Sequence, residues 1–166
     1  MEFELKLISR DAIPEALEKA HRYRLLNEPW QAESICLDIL RVEPANQAAL
    51  ITLLLAITDQ FGGEIPVTRA REVLRSIQGE YEKAYYAGIV YERCARARMA
   101  QRIPLASERA YQEFGDAMRC YETAEARRPP GNDDAILRWN TCARTLMRHK
   151  ELRPQIEERL QPVLGE

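Results

Sequence analysis

Residues 13–46 read IPEALEKAHRYRLLNEPWQAESICLDILRVEPAN, and this stretch decides the fold. Two segments of helical length carry apolar residues at three- and four-residue spacing, with an Asn-Glu-Pro turn at residues 27–29 between them. Ala20 in the first segment and Ala32 in the second are small enough to let two helix backbones approach closely. Pro44 ends the unit, because proline cannot continue a helix. The stretch therefore predicts two antiparallel helices joined by a short turn.

The same order of residue types (small, aromatic, small, proline) returns later in the chain. The first set is Ala20, Tyr23, Ala32 and Pro44, and the second is Gly88, Tyr91, Ala117 and Pro129. Moving 34 residues on from Ile13 reaches Gln47, and a second step of that size reaches Tyr81; both lie at predicted helix starts. The middle unit is degenerate, since Leu54 replaces its first small residue and Ala70 comes about four positions late.

This pattern resembles the tetratricopeptide repeat (TPR) family over roughly residues 11–148. The third unit departs from the family, because two elongated helices meet at Ile103-Pro104 and Ala117, rather than Ala100, supplies the second small residue. The resemblance implies an all-α, antiparallel helix-hairpin stack, a TPR-like α-α superhelix of about three hairpins plus C-terminal capping helices. In the family, the first helices of the hairpins line a concave face. An unrelated helical bundle is the alternative.

The breakers and apolar spacing place the predicted helices in one domain, residues 1–166. The helices are expected near residues 12–26, 29–42, 46–61, 66–78, 80–102, 105–127, 133–148 and 151–162. The domain divides into an N-terminal tail (1–10), hairpin 1 (11–45), hairpin 2 (46–79), a long hairpin 3 (80–130) and capping helices (131–166). Pro29, Pro66 and Pro104 suit first helical positions, and Asn132 and Asp133 suit a helix N-cap. Strand-like alternation occurs only at residues 3–7.

Composition indicates a folded globular chain, because 30% of its 166 residues are charged, 46% are hydrophobic and the net charge is −2. The charge is uneven, since residues 92–150 hold 12 basic and 8 acidic groups, a balance of +4. The longest apolar run, residues 48–57, is much shorter than a membrane span. The charged opening lacks the apolar segment of a secretory signal, so we expect a cytoplasmic protein. Four scattered cysteines without a CxxC pair favour free buried thiols over a disulfide framework.

The sequence predicts no catalytic, cofactor or metal site. Its two histidines, His21 and His149, form neither an HxxxH nor an HExxH arrangement. Cys142 and His149 share a helix face, but seven residues separate them by about 10 Å, too far for a thiol and its base. Gly62-Gly63 follows no strand and precedes no lysine-serine pair, so it is interpreted as a turn.

An arginine cluster is the sharpest local feature. It comprises Arg93, Arg96, Arg98, Arg102 and Arg109, joined by Arg138, Arg144 and Arg148. Three interpretations stay open: a solvated helix face with salt bridges to Glu92 and Glu108, a groove for an acidic peptide, and an RNA-binding surface. Few aromatic residues lie between these arginines, which counts against single-stranded nucleic acid.

The family resemblance implies a non-catalytic protein–protein interaction scaffold that binds a peptide or protein partner, an acidic one among the alternatives, on the concave face. Family members often clamp a carboxylate with lysine and asparagine, but the equivalent positions here hold His21, Arg24, Leu55, Ile89 and Glu92. The predicted partner-binding residues are His21, Arg24, Tyr85, Ile89, Glu92, Arg96, Thr141 and Arg144. The alternative functions are an arginine-dependent nucleic-acid (RNA) binding module and a self-associating structural module; no membrane partner is expected.

Overall fold

The computed structural model describes residues 3–62, 65–101 and 104–154, except for the side chain of Pro104, and all regular secondary structure in these ranges is helical. The helices are α1 (Ile13–Leu25), α2 (Pro29–Val42), α3 (Gln47–Asp59), α4 (Val67–Ser76), α5 (Glu80–Gln101), α6 (Pro104–Glu125) and α7 (Asp134–Arg148). Short 3₁₀ turns cover Arg10–Ala12 and Lys150–Leu152. The all-α prediction is therefore confirmed, and seven predicted helices correspond to α1–α7.

Helix starts follow the local chemistry of the chain. Pro29 is the first residue of α2, where the missing N–H removes no intrahelical bond. The Asn46 side chain accepts a hydrogen bond of 2.9 Å from the Ala49 N–H and caps α3. Two predicted starts differ in detail. Pro66 lies one residue before α4, and of the two predicted caps of α7, only Asn132 accepts a backbone N–H, that of Asp134.

The small residues that predicted close helix contacts are buried. Ala20 and Ala32 are both fully buried in one apolar cluster, and α1 packs against α2. In the long hairpin, Ala117 is fully buried whereas Ala100 is exposed. This confirms that the second small residue of this unit comes from α6, because only a buried position benefits from a missing side chain.

Each helix packs on its neighbour in the chain, and the α5–α6 contact is the most extensive. Two further contacts join alternate helices, α1 with α3 and α3 with α5. One apolar cluster draws its residues from α1 to α5, and a second draws them mainly from α5 to α7. As a result, α3 is buried on most sides, and α5 belongs to both cores.

The two ends of the described chain contain little helix. Residues 3–9 form neither helix nor strand. Of the predicted helix 151–162, the first part is the turn Lys150–Leu152, whose Leu152 packs into the second core, while residues 155–162 lie outside the described residues. None of the described helices combines the length and apolar character that crossing a membrane requires.

Candidate functional site

Three helices meet through a shared carboxylate at the end of α3. Arg24 of α1 donates from Nε to Asp59 Oδ2 at 2.6 Å, and Arg93 of α5 lies with Nη1 at 2.6 Å from Asp59 Oδ1. The two guanidinium groups therefore pair with different carboxylate oxygens of Asp59. The three side chains are only 20–25% exposed, so water screens these ion pairs less than it screens pairs on an open surface.

Arg93 also binds the last turn of α3. Its Nη1 donates to the Leu55 carbonyl at 2.9 Å and contacts the hydroxyl oxygen of Thr58. A cation at this position satisfies a helix C-terminus, which carries partial negative charge. Burial lowers the pKa of Arg93, and nearby Arg24 and Arg138 lower it further, against the opposing effect of Asp59. Burial is therefore the main reason for the lowered pKa of Arg93, and Asp59 is the strongest of the charges that act on it.

A second, buried carboxylate joins α5 to α6 and α7. Glu92 is 1% exposed, and the Tyr121 hydroxyl donates to its Oε2 at 2.7 Å. Its Oε1 accepts from Arg96 Nε and Nη2, both at 3.1 Å, and from Arg138 Nη1 at 3.4 Å. These donors supply what a buried charge requires, namely opposite charge and hydrogen bonds. Glu92 therefore fixes three helices relative to one another.

The pKa shifts around Glu92 follow from this arrangement. Burial raises the pKa of Tyr121, and the Glu92 carboxylate raises it further because phenolate would be a second negative charge. Burial lowers the pKa of Arg138, but Glu92 and a hydrogen bond with Tyr85 raise it by more, so that the net shift is upward. Tyr121 therefore stays a neutral donor and Arg138 stays a cation.

Gly88 allows Tyr121 to reach Glu92. A Cβ placed on Gly88 would lie 2.5 Å from Cε1 of the Tyr121 ring, well inside van der Waals contact. The sequence pattern pairs Gly88 with Ala117, one turn before Tyr121 on α6, as two small residues that let their helices approach closely. The structure instead places the tyrosine ring nearest to Gly88. The missing side chain at Gly88 thus leaves room for the Tyr121–Glu92 hydrogen bond as well as for the packing of α5 on α6.

The two carboxylates and their arginines form two ion-pair clusters that share helix α5, and we name them together the arginine–carboxylate ladder. Its members are Arg24 (α1), Asp59 (α3), Glu92, Arg93 and Arg96 (α5) and Arg138 (α7). The ladder holds four guanidinium groups and two carboxylates, so it carries a surplus of two positive charges. The odd-numbered helices contribute all of its members.

An open recess of about 350 Å³ lies at the α1 end of the ladder, lined by His21, Arg24, Leu25, Asn27, Pro29 and Asp59. Arg24 uses Nε for Asp59, and its two terminal nitrogens have no partner among the described residues. Thr52 donates its hydroxyl hydrogen to the Ala48 carbonyl, so its oxygen accepts from His21 Nε2 at 2.9 Å. The recess therefore offers unpaired guanidinium donors beside the exposed Leu25.

The eight predicted partner-binding residues differ in how much of each side chain is exposed to solvent. His21 and Arg24 line the recess, and Arg96 is 45% exposed above the Phe114 ring. Ile89 and Glu92, in contrast, are 2% and 1% exposed, so they support the face from beneath and offer no surface to a partner. Their prediction as direct contacts is corrected on this ground.

The other three predicted residues lie further along α5 and α7. Tyr85 is half-buried, with its ring stacked on Tyr81 at 5.6 Å between centroids. The Thr141 hydroxyl donates to the Leu137 carbonyl in its own helix, 2.9 Å away. Arg144 is exposed, and no described residue forms an ion pair with it.

Four of the eight arginines in the predicted cluster form ion pairs. Arg93, Arg96 and Arg138 belong to the ladder, and Arg98 binds Glu113 of α6 at 2.8 Å. The predicted bridge to Glu92 is present, but within the described chain Glu113, rather than Glu108, is the α6 carboxylate that pairs with an arginine of α5. Arg109 and Arg148 are exposed without ion pairs in these ranges, and Arg102 lies outside them.

Sequence reasoning missed Asp59, Tyr121 and Glu113. One signal for Asp59 was available, because Arg24 and Asp59 are 35 residues apart, within one residue of a repeat period. Positions one period apart occupy similar places on successive hairpins, so opposite charges there are candidates for contact. No comparable spacing indicated Tyr121, whose partner Glu92 is 29 residues away on the facing helix of the long hairpin.

The buried cysteine thiols are unreactive residues of the apolar core. All four cysteines are free, and Cys36, Cys94 and Cys142 are buried. Burial raises the pKa of each of these three thiols from 9.0 to about 12, so they stay protonated at neutral pH. His149 binds Glu151 at 2.8 Å, and within the described ranges no group of three His, Cys, Asp or Glu residues is arranged to hold a metal ion.

Comparison with protein-family models, with curated proteins and with solved structures gives no match for this chain. The TPR resemblance therefore stays a prediction, and the function has to be argued from the residues and contacts alone.

Proposed function

We propose that this chain is a non-catalytic scaffold of TPR type that binds an acidic segment of another protein on the face formed by α1, α3, α5 and α7. Two observations support the TPR-like arrangement. Helix α3 contacts the alternate helices α1 and α5 in addition to its chain neighbours, and the small residues at repeat positions are buried. A stack of hairpins with its first helices on one side has both properties.

The proposal of an acidic partner rests on the surplus of positive charge in the ladder. Four arginines face two carboxylates, and the terminal nitrogens of Arg24 are unpaired in a recess that could admit a side chain. A carboxylate there would accept a two-pronged hydrogen bond from Arg24, the geometry that guanidinium favours. The exposed Leu25, 87% accessible, lies at the edge of the same recess and suits an apolar neighbour of the acidic residue.

A defined probe tests this proposal. We suggest fluorescence anisotropy with a labelled peptide of about ten residues in which glutamate alternates with leucine, beside the same peptide with glutamine for glutamate. The glutamate peptide should bind and the glutamine peptide should not. Arg24→Gln should weaken binding by at least about tenfold, because the two-pronged, charge-assisted hydrogen bond to the peptide carboxylate is lost. Arg41→Gln on α2, an exposed arginine outside the ladder, is the matched control and should leave affinity unchanged.

A third probe, labelled oligouridine, separates the nucleic-acid alternative. RNA binding would give affinity that falls steeply and linearly with the logarithm of salt concentration, through release of counterions. If oligouridine binds more tightly than the glutamate peptide, the acidic-protein proposal fails. Equal affinity for the glutamate and glutamine peptides would also contradict it.

A further inference from the structure

Residues 3–7, Phe-Glu-Leu-Lys-Leu, carry three large apolar side chains that are mostly exposed to solvent. Phe3, Leu5 and Leu7 are 81%, 63% and 68% exposed. The next residue, Ile8, packs against the cluster around Ile13 and Ile39, which ties the segment to the body of the protein. Alternate residues share one face when a chain is extended, so the three large apolar side chains would form one stripe.

The backbone of this segment is unpaired within the described chain. The first turn hydrogen bond after it joins the Ala12 N–H to the Ser9 carbonyl, and none involves residues 3–8. A row of free N–H and C=O groups beside apolar side chains is a template for pairing with another strand. The segment therefore has the properties of an open edge.

The sequence of residues 3–7 is complementary to the same segment in a second copy of the chain. We propose that residues 3–7 of two copies of this chain pair antiparallel, with Leu5 opposite the partner's Leu5. In this register Phe3 lies opposite the partner's Leu7, and Glu4 lies opposite the partner's Lys6, so every cross-strand pair is apolar or of opposite charge. Parallel pairing in register would instead place Glu4 opposite the partner's Glu4.

The resulting dimer has two-fold symmetry, and both copies use the same residues. Pairing brings the apolar stripes of two strands side by side on one face and reduces their exposure to water. A two-stranded ribbon of five residues is marginal in water, so the dimer should be weak and dependent on concentration. The ribbon uses no residue of the ladder, and the inference is independent of the proposed partner.

Charge reversal tests the register. Sedimentation from about 10 µM to about 1 mM should show a monomer–dimer equilibrium for the wild-type chain. Glu4→Lys places two lysines opposite each other twice per dimer, and Lys6→Glu does the same with glutamates; each should weaken dimerisation by about tenfold. The double variant Glu4→Lys/Lys6→Glu should restore it. An equal mixture of the two single variants should also associate, as a heterodimer.

Matched controls change the same charge elsewhere. Glu18→Lys on α1 and Lys83→Glu on α5 alter exposed residues outside any described ion pair, and both should dimerise like the wild type. Circular dichroism should show equal helix content in all variants. A wild-type chain that stays monomeric throughout overturns the inference, as does a dimer that neither single reversal weakens. Failure of the double variant to recover would likewise overturn the antiparallel register.

Discussion

The first core, which draws its residues from α1 to α5, and the second core, which draws them mainly from α5 to α7, both bury polar groups, but only the second core buries a charged one. In α3, the neutral hydroxyls of Thr52 and Thr58 are buried and donate to carbonyls of their own helix, and their oxygens also contact His21 and Arg93. In α5, Glu92 accepts from residues 29 and 46 positions away. The buried polar groups of the first core are therefore neutral hydroxyls, whereas the second core holds a carboxylate whose donors come from α5, α6 and α7.

This difference separates two ways of holding helices together. The first core depends on fully buried small and aliphatic residues such as Ala20, Ala32 and Leu54, which set how closely the helices approach. In the second core, a single carboxylate also fixes how the helices are rotated and shifted along one another, because its donors must meet at one point. Substitutions at Glu92 should therefore have larger effects than substitutions of comparable carboxylates in the first half.

The largest effect is expected for Glu92→Ala. The substitution leaves the buried Tyr121 hydroxyl without its acceptor and Arg138 without its counter-charge, which should lower the free energy of unfolding by about 3 kcal/mol. The matched change in the first half is Glu33→Ala, which removes the shared acceptor of Gln60 and of the largely exposed Arg69 and should cost about 1 kcal/mol or less. Urea denaturation of both variants measures the difference. Equal losses would contradict the contrast between the two cores.

A smaller effect is expected from adding one methyl group to either glycine of the long hairpin. Gly88→Ala forces a Cβ against the Tyr121 ring and should destabilise the protein by about 2 kcal/mol, despite the higher helix propensity of alanine. Gly115→Ala on α6 meets only Arg119 Nη1, 3.7 Å away, and should stabilise by up to about 1 kcal/mol. Thermal melts of the two variants should shift in opposite directions. A shift in the same direction would show that the ring over Gly88 can move aside.

The contrast also explains what the sequence could predict. Helix positions followed from apolar spacing and from breakers such as Pro29 and Gly79, because these signals act within a few residues. The burial of Ala20 and Ala32 followed from their place in the repeat. The ladder could not be predicted from the sequence. The local pattern around a charged residue on an amphipathic helix is the same whether its side chain contacts water or a residue far away in the chain. Glu92 in particular was assigned to the inner surface, and only the position of Tyr121 on α6 accounts for its burial.

A modest change in stability is expected for Asp59→Asn, and this substitution links the ladder to the proposed function. The amide keeps the shape of the side chain but removes the charge that Arg24 and Arg93 share, which should cost about 1 kcal/mol, because these groups are still partly open to water.

The same change raises the positive surplus of the ladder from two charges to three. Affinity for the glutamate peptide should therefore increase while stability decreases, so that the two measurements move in opposite directions. Asp38→Asn on α2, where no described residue forms an ion pair with the aspartate, changes the net charge equally and should leave affinity unchanged. If Asp59→Asn weakens binding instead, the aspartate is needed to hold Arg24 in place, and orientation rather than surplus charge determines what this face binds.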